Sequence, residues 1–280
     1  MDWMDQAAER AEARLQQAGI ALTLGGEPTY IPLKPEGAAG TGAADGPTNR
    51  PRARPLAAAI QRRTWPGSTL LYCSGKRYEG EVNPRWALRL VTGRDGQPIA
   101  PWPAADGAAR ALQPHQALAW CEALGQRLGT CLQPLELEDP GEPGRRVWAA
   151  PLTWSPDGGW SGAAWPLAPE RRQLVPAPGP AGLRLPLEHF PPELPCQLLT
   201  LEITPGEWGV FLPPLERLPS EELLRAISDL AQEPALGGGL SSPLFSGLLP
   251  VDAADGWQVL GLTADPGVLE INLPVCHSWA

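Results

Sequence analysis

Near its carboxy-terminal end the sequence reads Leu269-Glu270-Ile271-Asn272-Leu273, an alternation of apolar and oxygen-bearing residues. On a strand successive side chains point to opposite faces, so Glu270 and Asn272 share one face while the leucines and the isoleucine cover the other. A carboxylate beside an amide oxygen suits a hard cation such as Mg²⁺, which also takes oxygens from substrate phosphates. A sheet face holds such ligands more rigidly than a loop. The plainer reading of the spacing is an ordinary half-exposed strand. A third acid stands in Gly25-Gly26-Glu27-Pro28-Thr29, where two glycines allow the backbone to approach a ligand closely. Its plainer reading is a tight turn, and it is not a phosphate-binding P-loop, because the Gly-Lys-Ser/Thr ending is absent. Glu27, Glu270 and Asn272 are the candidate metal ligands, and convergence on one Mg²⁺ requires their side-chain oxygens to lie within about 8 Å of each other.

A second concentration of polar groups runs through Gly75-Lys76-Arg77-Tyr78-Glu79-Gly80-Glu81 and on to Pro84-Arg85-Trp86. Lys76 and Arg85 suit a phosphate or carboxylate, the arginine through a bidentate fork; a salt-bridged hairpin is the bland alternative. The three histidines, His115, His189 and His277, are too scattered to define a site. Cys276-His277 does not make a thiol catalyst, because neighbours on a strand point apart. No catalytic residue is assigned.

These residues sit in a chain of 280 amino acids, long enough for one large domain or two closely packed ones. It carries 35 Pro and 31 Gly, which implies many short elements and ordered loops. A formal net charge of −9 opposes broad binding to nucleic-acid backbones. Five dispersed cysteines without a Cys-x-x-Cys pair fit neither a disulfide framework nor a zinc knuckle. Without an apolar leader or a membrane-length apolar run, the expected address is the cytoplasm, with no membrane partner.

Periodicity places a helix over 2–17, stopped at Gly19, then a short strand over 20–24. Residues 34–51 read as a flexible connector. Further helices are expected over 52–63, 114–128 and 220–232, the last capped by Ser220. Strands are expected over 68–73, 197–204, 207–212, 257–263 and 267–273, the second and third forming a hairpin at the turn pair Pro205-Gly206 and the last two joined by Ala264-Asp265-Pro266, and short strands and loops are expected over 129–195. The expected fold class is α+β, an antiparallel or mixed sheet with flanking helices and Pro/Gly-rich loops.

The ordered motifs resemble those of a large bacterial amidoligase family, a domain of unknown function commonly fused behind a transglutaminase-like domain. Gly25-Gly26-Glu27-Pro28-Thr29-Tyr30 looks like its Gly-Gly-Glu-Pro-Thr-Phe signature. Gly46-Pro47-Thr48, the run from Tyr72 to Ala87, Gly182-Leu183-Arg184-Leu185-Pro186-Leu187, Val210-Phe211-Leu212-Pro213-Pro214-Leu215 and the run from Asp265 to Asn272 follow in the family's order. The resemblance covers nearly all of residues 1–280 as one region. It implies a partial glutamine-synthetase-like fold, Mg²⁺ and ATP as cofactors, and ligation of a carboxylate to an amine on amino-acid or peptide substrates. It also implies that Lys76, Arg85 and Arg184 line one cavity and bind anionic substrate groups.

Departures accompany the likeness. Cys73, Ser74, Arg77 and Glu79 replace family residues in the Tyr72 motif, and Leu273-Pro274-Val275 stands where the family continues Ile-His-Pro. Family members run on into a Gly-rich, His-containing segment, whereas this sequence ends at Ala280. The expectation is therefore an enzyme part completed by a complementary polypeptide or a transglutaminase-like protein. A catalytically silent binding or scaffolding module is the alternative.

Overall fold

Helical and strand periods alternate along the chain, and the fold is α+β with a mixed sheet and four α-helices among the described residues. The computed structural model describes residues 3–21, 25–31, 33, 36–37, 49–74, 79, 85–102, 109–177 and 179–275, with the backbone alone at 49–52 and 74. In chain order the elements are α1 (Trp3–Gln17), β1 (Thr29–Tyr30), α2 (Asn49–Thr64), β2 (Thr69–Ser74), β3 (Trp86–Gly93), α3 (Ala117–Arg127), β4 (Leu135–Leu137), β5 (Arg146–Ser155), β6 (Gly159–Gly162), β7 (Leu198–Thr204), β8 (Glu207–Phe211), α4 (Arg217–Asp229), β9 (Leu244–Ser246), β10 (Trp257–Asp265) and β11 (Val268–Asn272). No described helix is long and apolar enough to cross a membrane.

The chain divides into two compact units. The first combines Met1–Ala57, Gly75–Leu88 and Val259–Ala280. Here α1 ends as its sequence predicts: Gly19 takes φ 68°, and the N–H groups of Gly19 and Ile20 bond the carbonyls of Gln16 and Leu15, which closes the last turn with a left-handed glycine. No residue of α1 is buried. The strands of this unit run antiparallel, with β11 between β1 and β10. The β10–β11 hairpin turns through Pro266 and Gly267, whose φ of 71° needs a glycine. Leu262, Ala264, Leu269 and Ile271 are buried on one face of the hairpin.

The second unit, Ala58–Ser74 with Arg89–Gln258, contains a sheet ordered β2-β9-β8-β7-β5-β4. β9 lies parallel to both β2 and β8, the other pairs are antiparallel, and β6 folds back on β5. The expected β7–β8 hairpin forms, with Gly206 at φ 83°. Leu199, Leu201, Ile203, Val210, Trp120, Leu124, Leu223 and Ile227 are buried in its core. Gly182, part of a family-like motif, has a packing reason: a Cβ there would collide with the Phe211 ring.

Several elements differ from expectation. α4 starts at Arg217 rather than Ser220, because the Asp252 carboxylate accepts the Arg217 N–H at 2.7 Å and Pro219 fits the first turn. Ser220 is buried inside the helix. β5 is a ten-residue strand within the segment expected to hold short elements; Val147–Leu152 is buried without interruption, so no period of two appears. β1, β3 and β9 had no separate expectation. Of the 34–51 connector, residues 49–51 open α2 and most of the remainder lies outside the described residues, as do residues 22–24 of the expected first strand.

Candidate functional site

Strand register assembles the site. Glu270 of β11 pairs with Thr29 on one side and Thr263 on the other, and Asn272 pairs with Gly261. Residues directly opposed in antiparallel strands share a face. The bonds from Ile271 N–H to the Pro28 carbonyl (2.8 Å) and from Leu273 N–H to the Gly26 carbonyl (3.0 Å) carry this register onward. Glu27 therefore stands opposite Asn272. One face of β1–β11–β10 thus presents Glu27, Thr29, Glu270, Asn272, Thr263 and Asp265, while the other is apolar.

On that face the Asn272 amide Nδ2 donates to Glu270 Oε1 at 3.0 Å and to Thr263 Oγ1 at 3.2 Å. Thr263 Oγ1 donates in turn to Glu270 Oε1 at 3.4 Å. Three polar atoms thus form a near-equilateral triangle of half-buried groups. Beside it Arg85 forms an ion pair with Asp265, its own side chain mostly buried and the aspartate's half-exposed. A cavity of about 30 Å³ is lined by Arg85, Trp86, Thr263, Asp265, Glu270 and Asn272. That volume admits water-sized occupants but not a nucleotide. Among the described residues no group of three or more His, Cys, Asp and Glu side chains is gathered to hold a metal ion.

The structure thus brings Glu270, Asn272 and, by register, Glu27 onto one face, with Arg85 at its cavity. Lys76, Cys276 and His277 lie outside the described residues. Arg184 belongs to the second unit and is 3% exposed. Its Nη1 and Nη2 donate to the two Asp139 oxygens at 2.9 and 2.6 Å, and Nη1 also reaches the Val175 carbonyl. Arg145 bridges from Asp139 to Glu202, and Glu202 accepts the Ala181 N–H at 2.9 Å. Burial opposes ionisation of Asp139, but the hydrogen bonds and charges of Arg184 and Arg145 outweigh it and hold the carboxyl at about 2. Burial of Glu202 prevails over Arg145 and pushes its carboxyl up. Arg184 is therefore closed on an internal partner rather than presented to a cavity. Burial raises the Cys73 and Cys121 thiols to about 11 and about 12, which makes them poor nucleophiles.

Sequence reasoning passed over Thr263, Asp265 and Trp86. The first two were within reach: reading Pro266-Gly267 as the two-residue turn pairs position 265 with 268 and hence 263 with 270. The Arg85–Asp265 pair, 180 positions apart, leaves no local signal.

The model of the family described as "Putative amidoligase enzyme (DUF2126)" matches residues 2–141. Glu27, Arg85 and Trp86 fall inside the matched stretch; Glu270 and Asn272 follow it. No curated protein and no solved structure matches the chain.

Proposed function

Because the chain belongs to this amidoligase enzyme family, whose model spans half its length, we propose that it forms part of an ATP-dependent carboxylate–amine ligase acting on amino acids or peptides. The observation that best supports this reading is the triangle of Glu270 Oε1, Asn272 Nδ2 and Thr263 Oγ1, with sides of 3.0, 3.2 and 3.4 Å. Adjacent oxygens around an octahedral Mg²⁺, each near 2.1 Å from the ion, stand about 3.0 Å apart. The residues fit a hard cation in type, since carboxylate, amide and hydroxyl oxygens are its ordinary donors. Asn272 directs its N–H₂ inward; a half-turn of the carboxamide presents Oδ1 in its place. Glu270, Asn272 and Glu27 are then the ligands of Mg²⁺.

Arg85, held by Asp265 at the cavity wall, binds a phosphate or carboxylate oxygen as a fixed cation, and Lys76 of the same motif region serves the same group. Mg²⁺ and ATP, when bound, supply charge neutralisation and the phosphoryl group that turns a carboxylate into an acylating agent. A cavity of about 30 Å³ would take no more than part of such a group. We assign its further enclosure to a complementary polypeptide or a transglutaminase-like protein.

The test is an assay of ADP release by the purified chain with candidate amino acids and peptides, alone and with such a polypeptide. Amine-dependent ADP formation lost in Glu270→Ala supports the reading. ADP formation indifferent to amine or to Glu270 contradicts it. A folded chain that is inactive under both conditions is instead the silent binding module.

A further inference from the structure

On the polar face Glu270 lies between two threonines, Thr29 of β1 on one side and Thr263 of β10 on the other. Their hydroxyls are used differently. Thr29 is exposed, and its hydroxyl donates to the Glu27 carbonyl at 3.4 Å, so it is turned toward its own segment. Thr263 is half-buried; its Oγ1 accepts a hydrogen of Asn272 Nδ2 at 3.2 Å and donates to Glu270 Oε1 at 3.4 Å. Among the described residues it is the neighbour that bonds both of the β11 side chains assigned to the cation. A branched β-carbon restricts Thr263 to few rotamers, and pairing with Glu270 in the β10–β11 ladder fixes its backbone. Its hydroxyl is therefore held in place on the face.

We propose that Thr263 is a positioning residue for the cation seat: its hydroxyl orients Glu270 and Asn272 and stays satisfied whichever end of the Asn272 carboxamide faces inward. The inference rests on the ligase reading above and adds a residue to it. A carboxamide N–H₂ only donates and its oxygen only accepts, whereas a hydroxyl has one hydrogen to give and two lone pairs. With Nδ2 inward, Thr263 accepts from Asn272 and gives its own hydrogen to Glu270. With Oδ1 turned inward toward a cation, Oδ1 and Glu270 Oε1 are both acceptors, and the Thr263 O–H is the donor beside them. It then aims one of these oxygens at the ion. Groups that orient metal ligands in this way govern affinity by about ten- to a hundredfold. A valine has the same shape and strand preference but no hydroxyl, so it leaves both side chains without this hold.

The experiment is a calorimetric titration of the full chain with MgCl₂, in the wild type and in Thr263→Val, Thr263→Ala, Thr263→Ser and Thr29→Val, with Glu270→Ala marking loss of the seat. The Asn272 side-chain amide, identified by its loss in Asn272→Asp, is followed in ¹H–¹⁵N spectra of the same samples. Thr263→Val and Thr263→Ala are expected to weaken Mg²⁺ about tenfold or more, Thr263→Ser to restore it, and Thr29→Val to weaken it less than Thr263→Val. Before Mg²⁺ is added, the Asn272 amide signals move in Thr263→Val, which has lost their acceptor, and hold their positions in Thr263→Ser. Valine and alanine remove the hydroxyl with different volumes, so a folding defect in one leaves the other as the test. If Thr263→Val binds Mg²⁺ like the wild type, or Thr263→Ser as weakly as Thr263→Val, the proposal fails; loss of Mg²⁺ in Glu270→Ala then leaves the ligase reading standing. If the wild-type chain shows no saturable Mg²⁺ binding, both fall.

Discussion

The molecule contains two clusters drawn from the same residue types, arginine and carboxylate, which settle in opposite ways. In the second unit Asp139, Arg184, Arg145 and Glu202 are interlocked, with the Asp139 side chain fully buried and each acid facing a cation or a backbone N–H. An apolar cluster containing Val147, Leu174 and Ala181 includes Leu185, which follows Arg184 in sequence. In the first unit, among the described residues, Glu270 meets the amide of Asn272 and the hydroxyl of Thr263 on its own hairpin, on a half-buried face with Arg85–Asp265 at the cavity. Carboxylates whose charge is met by buried arginines fix the fold. A carboxylate compensated only by neutral donors retains its negative potential and can exchange those donors for a cation.

The largest expected effect comes from opening the closed cluster. Asp139→Ala leaves the buried Arg184 guanidinium without its ion-pair partner and should cost about 3–5 kcal/mol, read as a lowered denaturant midpoint, with Mg²⁺ making no difference to the loss. Next is its pH dependence. The folded Asp139 carboxyl, at about 2, lies below its ordinary value of 3.8, so its contribution is fully present above about pH 4 and disappears as pH falls toward 2. That amounts to on the order of 2 kcal/mol, and Asp139→Asn should flatten this acid limb in a denaturation series. Glu202 acts with the opposite sign: its raised carboxyl favours the fold at low pH and loses that contribution as pH rises through the folded value.

The open cluster should behave in reverse. Glu270→Ala is expected to change stability by no more than about 1 kcal/mol, as usual for a half-exposed position, while reducing Mg²⁺ affinity at least tenfold by calorimetric titration. Glu27→Gln should produce the smallest effect. Its site is exposed, so the same titration should show a loss of affinity below that of Glu270→Ala and no change in melting.

The contrast was only partly legible in the sequence. Alternation placed Glu270 and Asn272 on one face, and the Pro205-Gly206 turn pair placed the β7–β8 hairpin, because both signals are local; the joint read at Ala264-Asp265-Pro266 fell short of the β10–β11 turn, which lies at Pro266 and Gly267. The matched family-like motifs also grouped Arg85 with Arg184, though they could not distinguish an arginine closed on Asp139, 45 positions away, from one standing at a cavity. β5 was hidden for a related reason: burial on both faces erases the period that marks a strand. The start of α4 depends on Asp252, 35 positions downstream, an acceptor that no local pattern announces.

The claim that the polar face of β1–β11–β10 is a cation-binding face is tested most directly by adding Mn²⁺, as a paramagnetic substitute for Mg²⁺, to the ¹⁵N-labelled chain. The account predicts that substoichiometric Mn²⁺ broadens the Asn272 side-chain amide and the backbone amides of 263, 270 and 272 first, that excess Mg²⁺ reverses this, and that Glu270→Ala abolishes it. Broadening that begins elsewhere, or that persists unchanged in Glu270→Ala, would contradict it.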